Sequence, residues 1–244
     1  MIYRNNKILL TLTFLFVIHT YVFAQHKQVV QLLKQAYESG NNFQVSVHYN
    51  LYKGNETNPV ESYNGIYYRK GQYIYSKIGK VEIISTPSFY LRINPDQKAI
   101  LISESTPENV SQLNNSLLEL MQYVDVDKFY EQNNSIYLKL KAKKITQLPF
   151  SSIELVINKQ THLLIKVEYY YFTQINFSQD AKKADYAQPR LEVIYSNYKN
   201  KNIDIPRSKF KLFSFVSFDG KKYHGLGKFS EYQIINQRKQ KNNR

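Results

Sequence analysis

The chain has 244 residues, with 33 Lys and Arg against 19 Asp and Glu, 22 Tyr, no Trp and no Cys. The missing cysteine excludes disulfides, zinc-thiolate sites, thiol nucleophiles and the lipid-accepting thiol that follows the export signal of a bacterial lipoprotein. A formal charge of +14 directs the protein toward anionic partners.

Arg4 and Lys7 precede an apolar block from Ile8 to Phe23, which closes on Val22-Phe23-Ala24. This is the pattern of a secretory signal peptide cleaved after Ala24, with Gln25 as the new N-terminus. A membrane anchor is the competing reading, but the block is shorter than the roughly 20 residues a spanning helix needs, and polar Gln25, His26 and Lys27 follow directly. The expected organisation is a signal peptide over 1–24, one domain over 25–236 with no Pro/Gly/Ser linker, and a basic tail over 237–244. The mature protein is then periplasmic and unlipidated, and losing Arg4 and Lys7 lowers its charge from +14 to +12. An exported cation meets anionic lipid, an anionic membrane surface or another envelope protein rather than nucleic acid.

Along the mature chain, Val29, Val30, Leu32, Leu33, Ala36 and Tyr37 recur at helical spacing, and Ser39-Gly40-Asn41 ends a helix over 26–38. The period then becomes two: Phe43, Val45, Val47, Tyr49 and Leu51 alternate with Gln44, Ser46, His48 and Asn50, giving a strand with one apolar face. Strands are predicted at 63–70, 72–78, 81–85, 89–93 and 98–103, joined by turns at Lys70-Gly71, Gly79-Lys80, Thr86-Pro87 and Asn94-Pro95-Asp96. A second helix over 111–124 carries Leu113, Leu117, Leu118, Leu120, Met121 and Val124. Strands resume at 135–142, 152–157, 162–172 and 191–198, then at 210–218, where Asp219-Gly220 is a hairpin signal before a last strand around 229–235. Residues 179–188 read as a polar loop.

The fold class is therefore α+β and mostly β, with about eleven strands and two helices. A long antiparallel sheet has edges that attract other chains unless it curls and is covered. An unclosed antiparallel half-barrel with the two helices across its mouth meets that need and encloses an apolar cavity.

Catalytic and metal constellations are absent from the pattern. His26, His48, His162 and His224 are scattered without metal-ligand spacing. Asp125-Val126-Asp127 resembles the acidic pair that some transferases use for a metal nucleotide, but after a helix such a pair caps the next segment or faces water. Gly225-Leu226-Gly227 lacks the strand-to-helix context of a phosphate loop, and no G-x-S-x-G elbow occurs. The expectation is a protein without cofactor or metal that is not an enzyme. Lys139, Lys141, Lys143 and Lys144 form either a solvated edge that blocks aggregation or a docking patch for anionic headgroups.

The order helix, meander, internal helix and returning strands resembles the LolA-type periplasmic lipoprotein carriers. The local match lies in Gly65-Ile66-Tyr67-Tyr68-Arg69 and in the stretch from Ile84 through Thr86-Pro87 and Phe89 to Asn94-Pro95-Asp96. The resemblance covers 26–200 in order and the rest loosely. It implies an unclosed barrel that binds lipid or lipoprotein acyl chains, each buried methylene contributing about 0.8 kcal/mol. By the same resemblance, Phe43, Val45, Val47, Tyr49, Ile136, Leu138 and Leu140 line the cavity, and Val29, Leu33, Leu117 and Met121 belong to the lid. Arg69 inherits the basic residue that latches the sheet to the lid, although Lys70-Gly71 follows it where the family usually has Pro. The alternative is a non-catalytic envelope structural or interaction protein using the same fold with a packed core.

Overall fold

The computed structural model describes residues 28, 31–32, 42–105, 120–144, 147–178, 180, 182–201, 203 and 205–238. The first long strand, β1 (Asn42–Lys53), opens a meander through β2 (Glu61–Lys70), β3 (Tyr73–Ile78), β4 (Val81–Ser85), β5 (Tyr90–Asn94) and β6 (Ala99–Ser103). A second series runs through β7 (Val124–Gln132), β8 (Ser135–Ala142), β9 (Phe150–Asn158) and β10 (Leu164–Tyr171). After the short pair β11 (Ile175–Asn176) and β12 (Tyr186–Ala187), β13 (Pro189–Lys199) returns to the sheet. The chain ends in β14 (Val216–Phe218), β15 (Tyr223–Gly225) and β16 (Gln233–Asn236).

Twelve of these strands form one open sheet in the order β16-β6-β5-β4-β3-β2-β1-β13-β10-β9-β8-β7. Every pairing is antiparallel except the last, where β16 lies parallel to β6. The expectation of about eleven strands, all antiparallel, is corrected in these two respects. The parallel pairing arises because the chain runs over the back of the β2–β6 half of the sheet between β13 and β16, whereas consecutive antiparallel strands need only a tight turn. The stretch predicted as one strand over 210–218 is instead two single-turn 3-10 segments, Arg207–Phe210 and Leu212–Ser214, leading into the short β14.

Of the helix expected over 26–38, Gln28, Gln31 and Leu32 are described and have helical backbone; of the one expected over 111–124, Leu120 is helical and Met121 to Tyr123 form a turn that leads into β7. The rest of both helices, with Val29, Leu33 and Leu117, lies outside the described residues, as does the 1–24 leader. Val124 belongs to β7 and not to a helix. Asp125 and Asp127 are accordingly strand residues of β7, with Asp125 opposite Lys141 of β8.

Residues directly opposite in an antiparallel ladder share a face, so the register sorts the sheet into a front and a back. The front row Tyr49, Val193, Val167, Leu155 and Leu138 crosses β1, β13, β10, β9 and β8. The back row Tyr68, Tyr75, Ile84, Leu91 and Ile102 crosses β2 to β6. Each row is the centre of a separate core. In the β7–β10 half the buried side chains point forward, and Ile136, Leu138, Leu140, Ile153, Leu155 and Ile157 pack with Leu120 and Met121. In the β2–β6 half they point backward, where Leu212, Phe215, Val216 and Phe229 of the C-terminal segment close over Ile84, Leu91, Ile93, Ile100 and Ile102. An isoleucine or leucine buried this fully contributes about 2 kcal/mol, so the C-terminal segment is integral to the fold and not an appendage.

Candidate functional site

The front face at the middle of the sheet lies between the two cores. Val45, Val47 and Val193 are its buried floor, and Phe43, Tyr49, Tyr67, Tyr169, Leu191, Tyr195 and Tyr198 pack on it while remaining partly exposed. Alternation in β1 places Phe43, Val45, Val47 and Tyr49 here, as the sequence predicts. Ile136, Leu138 and Leu140 fall on the same face four strands away in β8. The sheet therefore brings all seven residues assigned to the cavity wall onto one face, in two clusters bridged by Leu155, Val167 and Val193. Met121 packs over the β8 cluster from the same side.

Two features of this face were not anticipated. The first is its density of phenols. Phe43 and Tyr67 rings lie 5.6 Å apart, Phe43 and Tyr198 6.5 Å, Phe150 and Tyr169 5.8 Å, and Tyr169 and Tyr171 6.5 Å. Burial pushes the Tyr67 and Tyr169 hydroxyls up to about 12 and raises those of Tyr49 and Tyr198. All four are neutral hydrogen-bond donors at any physiological pH. The sequence signal for Tyr169 was its place in the alternation Val167, Tyr169, Tyr171, which marks one face of β10.

The second feature is Gly65, which faces Val47 on β2. A Cβ placed there would stand 2.7 Å from the Lys77 carbonyl oxygen of β3 and 3.4 Å from Cε2 of Tyr49. The glycine leaves a notch across which the Tyr49 ring lies.

Arg69 is on this face as well, opposite Phe43 and Ile74. Its Nε donates to the Gly71 carbonyl at 3.2 Å, which holds the guanidinium against its own turn. Gly71 supplies the positive φ of +58° that this turn requires. The lid residues to which Arg69 was assigned as latch, Met121 excepted, lie outside the described residues.

The back face at the same strands is polar. Glu168 and Glu192 stand directly opposite each other on β10 and β13. Lys166 bridges them at 3.1 and 3.4 Å, and Arg190 pairs with Glu168 while its guanidinium stacks 4.1 Å over the Tyr52 ring. Asn50 and Tyr52 each donate to Glu192 at 3.0 Å. Burial alone would raise the Glu192 carboxyl, but these hydrogen bonds and the Lys166 charge outweigh it and hold the pKa below the usual value. Both carboxylates are saturated by fixed donors, so neither is arranged as a general acid or base.

The remaining motifs resolve into structure. His224 meets Asp219 at 2.7 Å within the β14–β15 hairpin. In Gly225-Leu226-Gly227, a Cβ at Gly225 would fall 1.8 Å from the Phe229 carbonyl oxygen, so this glycine serves close packing and not a phosphate. Lys139 pairs with Glu154 at 2.6 Å on the back of β8, whereas Lys143 donates to the Gln122 carbonyl at 2.9 Å. The lysine cluster is thus divided between separate partners. Among the described residues, no group of three or more His, Cys, Asp or Glu is placed to hold a metal, and no helix is long and apolar enough to cross a membrane.

No protein-family model and no curated protein matches the chain. Solved structures do align with it. A conserved protein of uncharacterised function from Thermus thermophilus covers 86% of this chain and 99% of its own, at 10% identity and a TM-score of 0.47. A LolA superfamily protein from Nitrosomonas europaea covers 76% and 96%, at 13% identity and TM-score 0.36. An outer membrane lipoprotein-sorting protein domain from Vibrio parahaemolyticus covers 78% and 97%, at 12% identity and TM-score 0.36. The LolA-like architecture expected from the sequence is thus among the folds to which this chain is similar.

Proposed function

We propose that the protein is an exported, non-catalytic carrier or chaperone that takes lipid or lipoprotein acyl chains on the front face of its sheet. The observation that carries this reading is the front-face stripe of part-buried aromatic side chains between two separately packed cores, a surface of Phe43, Tyr49, Tyr67 and Tyr169 over a floor of valines. Sites for hydrophobic ligands are lined mainly by apolar and aromatic side chains with a few placed polar groups. Cleavage after Ala24 would deliver the chain to the periplasm without a lipid of its own, the state a shuttle between two membranes requires. The 26–38 and 111–124 segments would serve as lid, and Arg69, at the edge of the stripe, would latch it.

The second reading is a scaffold with a filled core, and one observation favours it. Val45, Val47, Ile136, Leu138 and Leu140 are each at most 4% exposed, as ordinary core residues are. Native mass spectrometry of the protein from a periplasmic extract, followed by lipid extraction, separates the two. A bound lipid or lipopeptide mass supports the carrier. A clean apo mass that also takes up no fluorescent fatty acid assigns the scaffold.

A further inference from the structure

We infer that the C-terminal cover, from Arg207 to Lys228, is the surface by which the protein docks on a bilayer of anionic lipid. The inference goes beyond the carrier reading and uses none of the front-face residues on which that reading stands.

The charge of the chain is concentrated at one end. Residues 25–198 carry nineteen Lys and Arg against sixteen Asp and Glu, whereas residues 199–244 carry twelve against three, a net +9 of the whole chain's +14. The segment that closes the back of β2–β6 therefore holds most of the positive charge, and a local excess of this size decides where an anionic partner is drawn. The lysines of β8 offer no comparable surface, since Lys139 is paired with Glu154 and Lys143 is turned to the Gln122 carbonyl.

Within the cover the acids are spent and the cations are open. Asp219 accepts from the backbone N–H groups of Lys221 and Lys222 at 2.8 and 2.9 Å and meets His224, and Glu231 pairs with Lys98 at 2.9 Å. Lys209 is engaged by Glu82. Arg207, Lys211, Lys221, Lys222 and Lys228 are exposed and have no carboxylate partner among the described residues.

Apolar side chains stand among these cations. Leu212, Phe215, Val216 and Phe229 turn inward onto β4–β6, so the exposed side chains between them face outward. Phe213 is 65% exposed, the most open large apolar side chain among the described residues, and Leu226 is 40% exposed. The Leu226 N–H donates to the Phe215 carbonyl at 2.9 Å, which fixes Leu226 at the base of the β14–β15 hairpin. At the other end Phe218 is 49% exposed, at the mouth of the turn that carries Lys221 and Lys222. The hairpin is three residue pairs, roughly 7 Å, long, so its apolar side chains and the flanking lysines form one small patch.

This mixture selects the partner. At a bilayer surface lysines meet lipid phosphates while phenyl and leucyl side chains enter the acyl boundary, and both contributions are used. The phosphate backbone of duplex DNA would use the cations alone. A lipid surface also asks only that the side chains share one outward side; they need not converge on a point.

The test uses the protein purified from a periplasmic extract and vesicles of phosphatidylcholine, alone or with about one third phosphatidylglycerol. The chain has no Trp, so Phe213→Trp and Phe218→Trp each give a single reporter, with Tyr130→Trp in β7 as the distant control. The expected result is co-sedimentation with the anionic vesicles only, weakened by salt, with a blue shift of emission at positions 213 and 218 and none at 130. Lys221→Gln with Lys222→Gln should weaken binding about tenfold, and Lys141→Gln with Lys144→Gln, which removes the same charge elsewhere, less than about twofold. All four lysines are exposed, so folding is preserved. Absence of binding, equal losses from the two lysine pairs, or binding without a shift at either reporter overturns the docking surface. So does duplex DNA that binds more tightly than the vesicles and depends on the same lysines, the behaviour of a plain polyanion site. Uptake of a fluorescent fatty acid without vesicles reads the front face separately. Its retention in the Lys221, Lys222 variant as vesicle binding falls supports the docking surface, and its absence from protein that still binds vesicles removes the carrier reading alone.

Discussion

Gly65 and Tyr49 are complementary: a Cβ at position 65 would stand 3.4 Å from Cε2 of Tyr49, so the bare glycine is what lets that ring lie across β2. The same Cβ would stand 2.7 Å from the Lys77 carbonyl oxygen, a backbone atom of the neighbouring strand that cannot swing aside. Gly65→Ala must therefore push β2 away from β3, and a loss of about 1–3 kcal/mol is expected. A lower urea midpoint with an unchanged slope would show it. An unaltered midpoint would mean that the strands yield freely there.

Arg190 and Glu168 form the tightest part of the back-face network, and Glu168 is only 4% exposed. Arg190→Met leaves that carboxylate with Lys166 as its remaining cation and is expected to cost about 3 kcal/mol. Pairing it with Glu168→Leu removes the stranded charge, and Lys166 keeps Glu192 as partner. The double variant should regain most of the loss, because a buried ion pair replaced by apolar side chains of similar volume is close to neutral. A double-mutant cycle by chemical denaturation measures the coupling, and additive losses would contradict it.

Glu192 is one of the carboxylates whose depressed pKa shapes the acid side of the stability profile. Its carboxyl is held below the ordinary glutamate range in the folded protein despite burial, through hydrogen bonds from Asn50 and Tyr52 and the charge of Lys166. A depressed folded-state pKa contributes stability that is present above the unfolded value and is lost as pH falls through the folded one. The groups facing it are Asn50, Tyr52, Lys166 and, across the strand pair, Glu168 with Arg190. Tm should be level near neutrality and fall below pH 4.5, and Glu192→Gln should lower the plateau while making the acid limb shallower. Parallel acid limbs for the two proteins would assign the fall to other carboxylates.

Much of the sheet is legible in the sequence because alternation and turn residues are local signals. Phe43 to Leu51 reads as one apolar face, and Asp219-Gly220 joins β14 to β15 as expected, Gly220 taking a φ of +92°. Strand β7 was hidden by the helical spacing of Leu113 to Val124 immediately before it, which runs into the first residue of the strand. A signal was present in Asn133-Asn134: both residues take positive φ, +49° and +61°, which is the tight turn that joins two hairpin strands. The parallel partner of β6 and the exchange of the buried face between the two halves were not legible. Each depends on where a distant segment lands, and the tyrosines of β2 and β3 offer an acceptable side to either face. In the candidate site, β1 and β8 were readable from their alternation. Tyr169 could have been placed on the same face by the alternation of Val167, Tyr169 and Tyr171, but neither it nor Tyr67 was singled out, since a phenol suits either side of a half-wet strand.

The C-terminal cover supplies the last prediction. Phe229 is 6% exposed, packs edge-on to Tyr232 at 5.2 Å and lies 5.9 Å from Phe215, and the turn around it is wedged under Gly225. These rings close the back of β2–β6, on the side opposite the aromatic stripe of the front face. Phe229→Ala opens a cavity over Ile100 and Ile102 and is expected to cost about 3–5 kcal/mol. Because the front face is not part of that core, the carrier reading expects the variant to take up a fluorescent fatty acid as the parent does at temperatures where it remains folded. Tm and fatty-acid fluorescence read the two effects separately. A variant that stays folded yet loses the lipid would show that the two faces of the sheet are coupled, and that the C-terminal segment acts on the ligand through the strands between them.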